Sequence, residues 1–377
     1  MRIAFYAPMK PPDHPTPSGD VRVARLLIAA LRQGGNHVEL ASRLRSWDGT
    51  GDGRRQARLA AIGARAARRL IARYRKAPPG ARPNVWFTYH LYHKAPDWIG
   101  PEVARALGIP YVVAEASFAP KRAGGPWDQS HKAVAAALGQ ADAVFHLNTR
   151  DSACVDPLLK PDARAVRLPP FLDVKSYAGP PDRKPFDRLG IARDTPVLLA
   201  VAMMRAGDKL ASYRVLAAAL RTLLDRRWCL VAVGDGPARG EVEAAFADLP
   251  AGRVKWLGAL PGETLPRYYC AADIFVWPAI NEAFGMAILE AQAAGLPAVA
   301  GQVGGVPGIV EDGTTAILAP PGDARAFADA VALLLDEPAR RRAMGAAARA
   351  RAVRVHDVVA AARTLAATLR ALVRAAP

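Results

Sequence analysis

Short apolar segments alternate with stretches of helical periodicity along almost the whole chain, and this alternation restricts the fold more than any other feature. Residues 3–7 have the apolar character of a buried strand. Val23, Leu26, Leu27, Ala30 and Leu31 then recur at steps of three and four, the spacing of one helix face, until Gly34 and Gly35 stop the helix. A strand at 37–41 completes one βαβ unit. Strands at 84–89, 111–114 and 143–147, with helices at 100–107 and 131–138, continue the pattern. After a stretch containing Pro169, Pro170, Pro180, Pro181 and Pro185, strands at 197–202, 228–233, 254–257, 274–277, 298–300 and 316–318 repeat it. Short apolar strands between helices require parallel sheets covered on both faces. The chain is therefore expected to be α/β, with two Rossmann-like domains at 1–184 and 185–354 whose parallel sheets face an interdomain cleft. Residues 355–377 place Val358, Val359, Ala362, Leu365, Leu369 and Leu372 at helical spacing, a terminal helix whose apolar stripe needs a partner surface.

Charge distinguishes the two halves. There are 29 basic against 15 acidic residues before Pro185, and 22 against 19 from there on. Nine bases and no acid fall between Arg54 and Lys76, where Leu59, Ile62, Ala66, Leu70 and Tyr74 keep helical spacing. Such a basic amphipathic helix suits an anionic membrane surface or nucleic-acid phosphates. It is equally what a solvated helix looks like in a chain where 41 of the 51 bases are Arg. Cys154, Cys229 and Cys270 are distant from one another and show no metal-ligand spacing, which argues against a disulfide framework and for a reducing compartment. With no run of eighteen apolar residues and no signal-like N-terminus, a cytosolic protein, or one peripheral on the inner membrane face, is expected.

The chemistry concentrates in residues 281–299. If a helix starts near Gly285, Glu282 precedes its N-terminus and Glu290 lies inside it, about two turns on. Backbone N–H groups at a helix start favour anions, and carboxylates accept hydrogen bonds from vicinal hydroxyls, so the combination suits a sugar phosphate. By spacing alone, a solvated cap and an ordinary helical acid explain the same two residues. Gly234-Asp235-Gly236-Pro237-Ala238-Arg239-Gly240 misses the dinucleotide fingerprint by one place, since Arg239 stands where the third glycine is required, and a dehydrogenase is not indicated.

In context, Glu282 to Glu290 resembles the Glu, seven residues, Glu motif of family 4 retaining nucleotide-sugar glycosyltransferases, which have the GT-B fold. Arg205 and Lys209, following the strand at 197–202, resemble the family's strand-end bases. Gly234 and Gly236, Gly304-Gly305-Val306-Pro307, Asp312-Gly313 and 318–323 continue the resemblance in the family's order. It implies a retaining glycosyltransferase of hexosyltransferase type, without metal or other cofactor, that moves a sugar from a nucleotide-sugar donor to an acceptor hydroxyl. Glu282, Arg205 and Lys209 would be catalytic. Gly19, Gly234, Gly236, Phe284, Gly285 and Glu290 would bind the donor, with Glu290 on the ribose. The acceptor would be a glycan or a lipid-linked molecule of polysaccharide or cell-envelope biosynthesis, and the terminal helix would pack back on the first domain. Arg205 and Lys209 also make physical sense, because a leaving nucleoside diphosphate gathers negative charge.

The first half conforms less. Pro17-Ser18-Gly19-Asp20 resembles the family's glycine-rich loop with its paired glycines reduced to Gly19, and Ser18 or Asp20 can serve there as a helix cap. Where the family often has a histidine after the strand at 111–114, this chain has Glu115-Ala116-Ser117. Glu115 and His90 are the acceptor-side candidates, and neither His90 nor His93 has the partners of a metal site. Two rivals remain: a GT-B nucleotide-sugar epimerase or phosphorylase, and a basic nucleic-acid or membrane-surface binding protein working through the 54–76 helix. The second leaves 197–323 unexplained, so no specific nucleic-acid partner is expected. The membrane surface remains as a contact for that helix.

Overall fold

The computed structural model describes residues 1–16, 18–148 and 150–375. Pro17 of the Pro17 to Asp20 loop lies outside the described residues. The chain divides into two compact units, residues 1–169 with 358–377, and residues 170–357.

The first unit holds a six-stranded parallel sheet of β1 (Arg2–Tyr6), β2 (His37–Ser42), β3 (Val85–Leu91), β4 (Tyr111–Ala116), β5 (Ala143–His146) and β6 (Arg164–Arg167). Its spatial order is β2-β1-β3-β4-β5-β6. β1, β3, β4 and β5 are buried along nearly their whole length, as a sheet covered on both faces demands. Phe5, Phe87 and Phe145 stack across one face at centroid separations of 5.7 and 6.2 Å. β6 escapes sequence reading because it pairs with β5 alone at the sheet edge and its Arg-Ala-Val-Arg has no buried face.

Helix α1 (Gly19–Gln33) begins at Ser18, whose Oγ accepts from the Val21 N–H, and buries Val23, Leu27 and Leu31. Helix α2 (Gly53–Lys76) is the basic segment. Asp52 caps its start, and Gly63, Ala67, Leu70 and Tyr74 are buried against α3 (Gly100–Leu107) and α4 (Asp128–Gln140). Gly63 permits that contact: a Cβ there would stand 2.3 Å from the Trp98 Cβ. Part of the apolar stripe of α2 is thus spent inside its own unit, and Arg54, Arg55, Arg58, Arg65, Arg68 and Arg69 face solvent.

The second unit contains β7 (Val197–Val201), β8 (Cys229–Val233), β9 (Val254–Trp256), β10 (Ile274–Trp277), β11 (Ala298–Gly301) and β12 (Ala316–Ala319), all parallel, in the order β12-β11-β10-β7-β8-β9. Helices α5 (Asp208–Arg221) and α6 (Met286–Ala293) follow β7 and β10.

The boundary falls at Pro169/Pro170 and not at 184/185. Pro180, Pro181 and Pro185 look like a linker, but Leu172, Val174 and Tyr177 before them are buried in the second unit's core. At the other end the helix Pro338–Val355 stops, and α7 (Val358–Ala375) starts anew, so the units part at 357/358 and not at 354/355. His356 explains the break: its Nδ1 lies 2.7 Å from the Pro170 carbonyl, and its own carbonyl accepts from the Leu172 N–H at 3.0 Å. Beyond it α7 belongs to the first unit and packs on α1, where Ala366 meets Gly34. Among the described residues no helix is long and apolar enough to cross a membrane.

Candidate active site

In an open parallel sheet, ligands collect where neighbouring strands send their connections in opposite directions. In the second sheet that place lies between β7 and β10. Lys209, in the first turn of α5, and Glu282, in the loop after β10, come from its two sides. The Lys209 Nζ donates to Glu282 Oε2 at 2.6 Å, with 25% and 20% of the two side chains exposed. The ammonium also sits 5.3 Å from the centre of the Trp277 ring, which ends β10. Asn281 Nδ2 donates to Asp208 Oδ2 at 3.0 Å, and the Ile280 N–H donates to Ser212 Oγ at 3.1 Å, so the two loops are tied together on both sides of the ion pair. Arg205 is exposed on the loop between β7 and α5.

Two glycine turns set the positions of these loops. Gly234 has φ +147°, and a Cβ on it would stand 1.8 Å from the Ala202 carbonyl oxygen. Gly236 stands in the same way against the Met204 carbonyl, while the Met204 N–H donates to the Asp235 carbonyl at 3.0 Å. The turn after β8 therefore presses on the backbone that leads to Arg205. Gly304, at φ +55°, does the same for Glu282: a Cβ there would lie 1.8 Å from the Glu282 carbonyl oxygen, which accepts from the Gly305 N–H at 3.0 Å. Gly285, in the left-handed conformation, starts α6 beside the half-buried Phe284. Glu290 is 2% exposed within α6.

The first sheet has its own switch point, between β1 and β3. Gly19 opens α1 there, and a Cβ on it would meet nothing within 4 Å. Ser18 is the cap, which leaves Asp20 free to reach His90: His90 Nδ1 lies 2.7 Å from Asp20 Oδ1. Glu115, near the end of β4, is 8% exposed. Burial pushes its carboxyl up to about 7, Asp151 and Asp20 adding to the rise while His90 and the Leu147 backbone N–H oppose it. Burial also pushes the Asp20 carboxyl up, but the hydrogen bond and charge of His90, with a backbone N–H and Lys10, hold it below its usual value. His93 takes a different place. Burial, with Arg122, Lys94 and His131 nearby, lowers its imidazole to about 4, and its ring meets Trp127 edge-on at 5.6 Å. Sequence reasoning singled out His90 and Glu115 but missed Asp20 as the partner of His90, and Trp277 as the ring beneath Lys209. The adjacency of β1 and β3 was the only signal for the first of these.

The structure thus joins Lys209 with Glu282, sets Arg205 on the loop just before Lys209, and gathers His90, Asp20 and Glu115 in the first unit. Among the described residues no group of three His, Cys, Asp or Glu side chains has the arrangement of a metal site. Residues 195–337 match the family described as Glycosyl transferases group 1. The likeness to that family lies within the second unit. The matched stretch contains Arg205, Lys209, Gly234, Gly236, Glu282, Phe284, Gly285 and Glu290, and excludes His90 and Glu115.

Two curated relatives extend the likeness. The chain is 34% identical over 201 residues to a GDP-mannose-dependent alpha-(1-6)-phosphatidylinositol monomannoside mannosyltransferase of Mycolicibacterium smegmatis, covering 50% of this chain and 52% of that protein. It is 37% identical over 210 residues to a D-inositol 3-phosphate glycosyltransferase of Kineococcus radiotolerans, covering 50% and 48%. The chain thus spans about half the length of these relatives. Among solved structures, Anabaena HepE in complex with UDP aligns at TM-score 0.74 and 18% identity over 99% of this chain and 100% of that one. The group 1 match accordingly lies in a chain of GT-B fold, each half of which has a parallel sheet of its own.

Proposed function

We propose that this chain is a retaining glycosyltransferase that moves a sugar from a nucleotide-sugar donor to an acceptor hydroxyl, with no metal required. The observation that carries the reading is the Lys209–Glu282 pair at the switch point of the second unit. Lys209 and the exposed Arg205 supply positive charge to a leaving diphosphate, a point charge and a planar fork respectively. Held on the first turn of a helix and on a loop pinned by glycines, they need little reorganisation as the diphosphate gains charge. Glu282 meets the transferred sugar. Glu290, at the base of the same helix start, takes the ribose hydroxyls, and Gly19, Gly234, Gly236, Phe284 and Gly285 let the donor approach. His90 and Glu115 serve the acceptor.

Both curated relatives named above act, by their names, on inositol-containing acceptors, one of them a lipid. That supports an acceptor that is lipid-linked or destined for the cell envelope. A cytoplasmic protein, peripheral on the inner membrane face through the exposed arginines of α2, fits such an acceptor. With part of the α2 apolar stripe buried, the attraction would be chiefly electrostatic.

The test is a thermal-shift series with UDP-, GDP- and ADP-sugars, followed by turnover of the donor that binds. One of them should raise the melting temperature, because ligand bound only by the native state stabilises it. Glu282→Ala should then lose most turnover while its circular dichroism is unchanged. An unaltered rate in Glu282→Ala overturns the assignment.

A further inference from the structure

His90 and Glu115 are the non-glycine residues with positive φ among the described residues, at +63° and +62°. They are the penultimate residues of adjacent parallel strands, flanked by the register pairs Tyr89 with Ala114 and Leu91 with Ala116. A left-handed conformation strains a non-glycine residue and persists where the surroundings enforce it. Here the same departure occurs twice, side by side, at two strand ends that bring an imidazole and a buried carboxyl together.

The chemistry of the group follows from its hydrogen bonds. Asp20 is held ionised, so its oxygens only accept, and the His90 Nδ1 facing it at 2.7 Å must be the donor. With Nδ1 engaged by Asp20, Nε2 is the ring atom that can meet a ligand, as an acceptor when the imidazole is neutral and as a donor when it is protonated. The Tyr92 ring stacks on the imidazole at 4.8 Å and fixes its plane. Glu115 stands beside it with only the Leu147 backbone N–H as a hydrogen-bond donor, and no ion pair reaches it among the described residues. Asp20 and Glu115 stand around the imidazole and, beyond them, Asp151, which accepts from Ser117 Oγ at 3.0 Å; Lys10 is a base that acts on Asp20, and Arg45 one that acts on Tyr92. Three carboxyl groups, with Lys10 near Asp20 and Arg45 near Tyr92 as the bases, make a poor seat for phosphate. They suit hydroxyls, which donate to carboxylate oxygen, accept from a protonated carboxyl, and meet Nε2 as donor or acceptor alike.

We propose that Asp20, His90 and Glu115 form a binding site for the hydroxyls of an uncharged polyol. If the glycosyltransferase reading holds, this is the sugar or cyclitol end of the acceptor, and any phosphate the acceptor carries lies away from this group. His90 and Glu115 touch the polyol, while Asp20 acts through His90 as a positioning residue.

The experiment uses the full chain labelled with ¹⁵N-histidine, the His90 ring signals being assigned with His90→Gln. Glucose, mannose and myo-inositol are added at tens of millimolar, and separately glucose 6-phosphate, mannose 6-phosphate and myo-inositol 1-phosphate. At least one neutral polyol should shift the His90 Nε2 signal, and its phosphate ester should bind more weakly. Asp20→Asn should move the resting Nδ1 and Nε2 signals and weaken polyol binding by about tenfold. Glu115→Ala should weaken it similarly, and Glu115→Gln should restore it. Circular dichroism of each variant checks that the fold is intact. A His90 signal indifferent to all three polyols, or one that answers only to the esters, overturns the proposal. Donor binding is read separately from the nucleotide-sugar thermal shift. A chain that binds a polyol and no nucleotide sugar keeps this site and loses the enzymatic reading; one that binds a nucleotide sugar but no polyol does the reverse.

Discussion

Replacing Glu115 by Gln should make the protein more stable, and only above a particular pH. In the folded chain the carboxyl titrates at about 7, against an ordinary 4.5. One pKa unit is about 1.4 kcal/mol of preference between protonation states, so the difference amounts to about 3 kcal/mol. The folded value lies above the unfolded one, so between pH 4.5 and 7 the native state binds more protons than the unfolded chain. Stability therefore falls as pH rises through that window, and above it the native state carries the full penalty of a buried, ionised carboxylate. Gln keeps the size and hydrogen-bonding capacity of the protonated acid and has no charge to bury. The variant should match the parent below pH 4.5, draw ahead steadily from there, lead by about 2 kcal/mol at pH 6 and exceed it by about 3 kcal/mol at pH 8. Urea unfolding of both proteins across this range gives the difference, and the seven histidines common to both largely cancel from it. The residual coupling is to His90, Asp20 and Asp151. Parallel stability curves from pH 4.5 to 8 would falsify the claim that Glu115 is buried without adequate compensation.

Lys209→Met should cost about 1–2 kcal/mol, between the values for exposed and buried ion pairs, because Glu282 is left mostly buried without its partner. If Lys209 meets the leaving diphosphate, kcat should also fall by about 10²–10³, the loss seen when one preorganised donor is removed. Gly304→Ala forces a Cβ against the Glu282 carbonyl oxygen at a left-handed φ, so the melting shift produced by nucleotide sugar should vanish and stability should fall by about 1–3 kcal/mol. Replacing Arg65, Arg68 and Arg69 by Ala should weaken sedimentation with phosphatidylserine vesicles by about 3 kcal/mol at low salt, and raised salt should erase the difference. Unchanged sedimentation would leave the charge of α2 as a matter of composition.

Elements buried on both sides were legible because nothing but uninterrupted apolar residues serves there: the strands expected at 197–202, 228–233, 274–277 and 298–300 are β7, β8, β10 and β11, to within one residue at each end. What failed to show were features that depend on a distant neighbour. β6 exists because β5 offers it an edge. The unit boundary at Pro170 exists because Leu172, Val174 and Tyr177 find the second core, and nothing in their composition says which core they will find. The helix break at His356 carries neither Gly nor Pro; it is made by hydrogen bonds to residues 170 and 172. The site divides in the same way. Arg205, Lys209 and Glu282 stood out through a series of motifs, although 73 positions separate the last two.

Asp20 and His90, 70 positions apart, had no motif to join them. Next to Ser18, Asp20 looked like one more helix cap, and a histidine gives no sign in sequence that its backbone will turn left-handed. Their meeting follows from topology: β3 inserts beside β1, so the loop after β1 and the end of β3 share one side of the sheet. The same topology bears on the charge of the first unit. The bases of α2 lie along a helix whose buried face packs on α3 and α4, whereas the strand-end group holds three acids, with Lys10 and Arg45 as the bases near it. A net positive unit therefore presents a locally acidic site. If the strand-end group takes a polyol and α2 takes a membrane surface, as proposed above, an acceptor that satisfies both would have an uncharged polyol head and an anionic or membrane-embedded remainder, and neither feature alone would select it.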